Sequence, residues 1–75
     1  MNEQRRKEIA KAEELLSQAL SILEGARDDE QEAFDNLSEG LQQSERGYAM
    51  ETNVHTLEEF VDNIDQVIQG LGEIE

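Results

Sequence analysis

Seventy-five residues with six Lys+Arg against nineteen Asp+Glu form at most one small domain with a formal net charge of −13 at pH 7. The chain has no Cys, which excludes a disulfide framework, a thiol nucleophile and thiolate metal ligation; it has no Pro or Trp, and aromatics are 4% of residues. A pI near 4.2 sets the surface against nucleic-acid phosphates and anionic membranes as direct ligands and favours basic partners.

Residues 1–11 are charged and polar, with only Ile9 and Ala10 interrupting, so no secretory apolar core is present there. No later apolar run approaches the roughly 20 residues needed to span a bilayer. A soluble, cytoplasmic protein is expected. This opening segment holds four cations (Arg5, Arg6, Lys7, Lys11) against two acids, a net +2, whereas residues 12–75 hold two cations against seventeen acids. Four cations are too few for a nucleic-acid footprint and point to pairing within the protein or between subunits.

From Ile9 the apolar positions Ile9, Ala12, Leu16, Ala19, Leu23 and Ala26 alternate steps of three and four, the spacing of an amphipathic helix over about residues 3–34. Leu15, Leu20 and Ile22 widen the stripe. The helix ends in an acidic cluster, Asp28, Asp29, Glu30 and Glu32, followed by Asp35, at the negative pole of the helix dipole where only Arg27 offsets it. These five carboxylates are the candidate partner-binding residues. They do not make a calcium loop: counted from Asp35, Leu37 takes the third position and Arg46 the place of the bidentate Glu.

A turn is expected at residues 35–38, where Asn36 can cap a new helix and Glu39 can reach back to complete a capping box. A short helical segment then runs to about residue 43. Ser44 to Gly47 offers a competing break, but a turn near Asn36 leaves arms of similar length and brings Lys11 toward Asp62, Lys7 toward Asp65 and Arg27 toward Glu45. The second long helix, about 45–70, carries Met50, Val54, Leu57, Val61, Ile64, Ile68 and Leu71 in the same alternation, flanked by Phe60 and Val67.

The fold class is therefore all-α, a long antiparallel, coiled-coil-like helical hairpin. One seam between two helices leaves Leu15, Ile22, Phe60 and Val67 wet, and either a second copy forming a four-helix bundle or a different protein must cover them. The dimer or docking interface is expected to involve Leu15, Leu16, Ile22, Leu23, Leu57, Phe60, Ile64 and Val67.

His55 stands four residues from both Glu51 and Glu59, but Thr52 sits where a di-iron bundle has Glu, so an exposed imidazole is expected and no metal or cofactor. There is no Gly-rich phosphate loop, no local nucleophile and base pair, and no deep pocket in so thin a bundle for a small-molecule substrate. The expectation is a non-enzyme.

The stretch from Ala26 through Arg27, Asp28, Asp29, Glu30, Gln31, Glu32, Ala33, Phe34, Asp35, Asn36 to Leu37, followed by Leu41-Gln42, Ser44-Glu45-Arg46-Gly47 and Met50-Glu51, resembles a family of small acidic proteins of phage, prophage and bacterial genomes without an assigned function. Its relatives tend to carry Pro where this chain has Ser38. The resemblance implies a phage-associated origin and a bacterial host cell, and transfers no site residue. Three functional classes follow: an acidic module binding a basic protein, a DNA mimic that blocks a nucleic-acid-binding protein, and an assembly adaptor using the apolar flank.

Overall fold

The computed structural model describes residues 1–75 and contains only helices: α1 (Glu3–Asp35), the single-turn α2 (Glu39–Gln42) and α3 (Glu45–Gly72). α1 and α3 lie side by side as a rod whose Cα extents are 58 × 14 × 13 Å. The termini meet at the open end, where the Met1 ammonium donates to the Glu75 carbonyl oxygen at 3.3 Å and Arg6 Nε to the Met1 carbonyl at 3.2 Å.

Each helix begins on a side-chain cap. Asn2 Oδ1 accepts from the Arg5 N–H at 2.8 Å, Ser38 Oγ from the Leu41 N–H and Ser44 Oγ from the Gly47 N–H. Asn36 does not form the expected helix-opening cap. Its backbone is right-handed helical and its N–H still reaches the Glu32 carbonyl, so it closes α1. Ser38, with extended backbone (φ −60°, ψ 157°), opens α2 instead. Glu39 is then the first residue of α2 rather than the third, and no capping box forms.

The corner is held by polar links that the chain cannot easily exchange. Gln42 Nε2 donates to the Phe34 carbonyl at 3.2 Å, satisfying an acceptor at the end of α1, and the Ser44 hydroxyl donates to the Leu41 carbonyl. Gly47, in the first turn of α3, is buried against the backbone of α2; a Cβ there would run into the Gln42 carbonyl and stand 2.7 Å from the Leu41 oxygen. Ser44 and Gly47 thus have defined structural work at the corner.

The turn consumes residues 36–44, and this sets the register. Glu30 faces Asn53, whose side-chain amide donates to Glu30 Oε2 at 2.7 Å, and Ala26 shares a groove with Leu57. A fold directly about Asn36 would place these partners about ten residues away, roughly 15 Å along the rod. The expected cross-arm pairs Lys11–Asp62, Lys7–Asp65 and Arg27–Glu45 accordingly do not form. Lys7 pairs with Glu3 at 3.8 Å, Lys11 with Glu14 at 3.6 Å and Arg27 with Asp28 at 3.1 Å, all within α1.

The seam is thin. Only Val54 and Val61 among the side chains are buried, at 6% and 8% exposure, with Leu16, Leu20, Leu23, Leu57, Ile64 and Ile68 half-buried around them. Ala26 is exposed, although the sequence spacing puts it in the stripe; Arg27, Glu30, Ala33 and Phe34 are the half-buried residues at that end of α1. A straight helix turns about 20° per heptad relative to a strict seven-residue repeat, so at this level the inward face of α1 has moved past Ala26 to Arg27.

Candidate interaction surfaces

The carboxylates at the turn end of α1 do not form one uniform patch. Asp28 is held by Arg27, whose side chain is 27% exposed, and Asp35 accepts from Gln31 at 2.9 Å. Asp29 and Glu32 are exposed and unpaired by any cation within 4 Å. Glu30 is half-buried and engaged by Asn53, which ties it to the hairpin itself. Asp28, Asp29, Glu32 and Asp35 are thus the outward members, at a helix end whose last turn holds no basic residue. Asp29 lines a shallow groove with Ala26, Glu30, Asn53, Thr56 and Leu57.

The candidate interface residues separate into two sets. Leu16, Leu23, Leu57 and Ile64 are half-buried along the seam within one hairpin. Leu15, Ile22, Phe60 and Val67 are exposed, Ile22 most of all at 72% and the others at 50–52%. Their relative placement follows from the groove near the turn, which has Asp29 on one wall and Asn53 on the other. Ile22 and Leu15 lie one and two heptads before Asp29; Phe60 and Val67 lie one and two heptads after Asn53. Because a heptad returns a helix to nearly the same side, all four occupy one long side of the rod. The Glu30–Asn53 pairing makes Ile22 level with Phe60 and Val61, and Leu15 level with Val67 and Ile68.

This side is almost without charge. From Leu15 to Ala26 the only charged residue is Glu24, and on α3 the neighbours of Phe60 and Val67 along that side are Thr56, Asn63 and Gly70. Glu51, Glu58 and Asp65 stand two residues before Asn53, Phe60 and Val67, about 200° around the helix, and make the opposite side acidic. The hairpin therefore has one apolar flank and one acidic flank. The apolar residues are legible in the sequence, but their shared side is not, because it requires the register.

His55 lies on the surface with its side chain 78% exposed and Nδ1 3.8 Å from Glu58 Oε2; Glu51 and Glu59 do not approach it. No group of three or more His, Asp or Glu side chains is arranged to hold a metal ion. No helix is long and apolar enough to cross a membrane. No protein-family model, curated protein or solved structure matches this chain.

Proposed function

We propose that this protein is a non-enzymatic, acidic protein-binding module that works as a homodimeric four-helix bundle and captures a basic protein partner through the turn end of α1. The observation that carries this reading is the set Asp28, Asp29, Glu32 and Asp35, outward-facing at the negative pole of a 33-residue helix, where Arg27, on Asp28, is the one cation within 4 Å. Ser38, Gln42, Ser44 and Gly47 have structural tasks at the corner, whereas the contacts of Asp28 and Asp35 stay within α1 and none of the four acids is bonded to α2 or α3. Carboxylates placed against a helix dipole weaken the helix, so their placement is better understood as recognition than as stabilisation.

Dimerisation is supported by surface area. An isolated protomer exposes 5562 Å², whereas a compact folded monomer of 8.5 kDa exposes roughly 4,700 Å². The excess, about 900 Å², is close to the ~800 Å² per partner of a stable interface. The resemblance of residues 26–51 supports a phage-associated role in the cytoplasm of a bacterial host.

A partner captured from a bacterial lysate, purified and measured by calorimetry against the wild-type chain and a variant with Asp28, Asp29, Glu32 and Asp35 converted to the amides, tests the reading. Loss of binding with a reduced salt slope supports it. Unchanged affinity and slope would remove the acidic end from consideration and leave the apolar flank as the docking surface. The DNA-mimic reading draws on the 58 Å rod with an acidic flank, and it adds one requirement: duplex DNA must displace the captured partner.

A further inference from the structure

We infer that the apolar flank is covered by a second copy of this chain lying antiparallel to the first, with a two-fold axis passing near Ala19, so that the cationic amino-terminal segment of each copy lies along the acidic turn end of the other. The inference rests on the homodimer reading and adds to it the face, the direction and the charges involved.

Charge decides the face. Two chains of −13 repel over most of their surfaces, and the side bearing Leu15, Ile22, Phe60 and Val67 is where they can approach without bringing carboxylates together. The four residues stand at two levels a heptad apart, Ile22 with Phe60 and Leu15 with Val67. A two-fold axis midway between the levels seats the Ile22–Phe60 pair of each copy on the Leu15–Val67 pair of the other, the self-complementary contact an isologous interface requires.

Charge also decides the direction. With the axis near Ala19, Lys11 of one copy comes level with Arg27 of the other, alongside Asp29. The net +2 of residues 1–11 then meets the acidic cluster at both ends of the dimer. Parallel rods would instead set Lys11 against Lys11 and Asp29 against Asp29, opposing like charges at both ends. Asp28 and Asp35, a heptad apart on the side of α1 away from the seam, stay open to another partner.

The chain has no native cysteine, so one label site can be introduced cleanly. Gln4 is exposed near the open end, and in the antiparallel dimer two spin labels at Gln4→Cys stand about 45 Å apart, thirty helical residues at 1.5 Å each; in a parallel dimer they stand within about 20 Å. Pulsed dipolar spectroscopy should give the long distance. Ile22→Glu, at the most exposed apolar position and away from the seam, should weaken the dimer at least about 100-fold in sedimentation equilibrium with helix content unchanged. A short label distance overturns the antiparallel arrangement and leaves the homodimer standing. A dimer that survives Ile22→Glu overturns the choice of face. A wild-type chain that sediments as a monomer overturns the homodimer reading and this inference together, while capture of a basic partner stands or falls separately.

Discussion

Two glycines that look alike in the sequence have opposite roles at the residue scale. Gly47 sits where α3 presses on the backbone of α2, and a methyl group there meets a carbonyl that cannot move aside without opening the corner. Gly47→Ala should cost about 1–3 kcal/mol, the usual penalty of overpacking. Gly70 is helical with open space around it, so Gly70→Ala should stabilise by up to ~1 kcal/mol through helix propensity. Urea denaturation of the pair checks both signs, and a stabilised Gly47→Ala would show that the corner can relax. Leu57 belongs to the same scale. Full burial would make Leu57→Ala cost 2–5 kcal/mol, but it is only half-buried, and a loss nearer ~1–2 kcal/mol is expected by area.

The corner is the informative element. Three helices meet within ten residues, and the caps at Ser38 and Ser44 determine where the second and third begin. Ser44→Ala removes both the bond from the Gly47 N–H and the hydroxyl donation to Leu41, and should cost ~1 kcal/mol with fraying confined to the start of α3, read by amide exchange. Ser38 has φ −60°, the value a proline ring imposes, and its N–H makes no backbone bond. Ser38→Pro should therefore change the melting temperature little, since a pre-set φ offsets the lost hydroxyl cap. A large loss would mean that the Ser38 hydroxyl, rather than its backbone angle, holds α2.

For the whole molecule, net charge opposes a thin seam. The ion pairs are few, exposed for the most part and local to one helix, so none of them ties one arm to the other. Self-repulsion among nineteen acids is consequently a larger electrostatic effect than specific pairing. Raising the salt concentration at neutral pH should screen that repulsion and raise the melting temperature. A fall would show that ion pairs within or between copies outweigh it, and comparing dilute with concentrated protein separates the two, because only pairs between copies depend on concentration.

Helix type, approximate arm lengths, the excess of acid and the apolar residues available for packing were all legible in the amino-acid sequence, because the three-and-four alternation from Ile9 and from Met50 is a local property of each arm. Ile22 and Phe60 were recognisable as surplus for the same reason. The pairing of one arm with the other was not. It depends on how many residues the corner spends, and that number is set by contacts between separate elements: Gln42 with Phe34, Gly47 with the backbone of α2. A shift of about ten residues separates Lys11 from Asp62 and brings Glu30 to Asn53. Only the tertiary structure places Leu15, Ile22, Phe60 and Val67 together on one predominantly apolar side, since a helix determines which of its own residues share a face, and the register determines which faces of two helices meet.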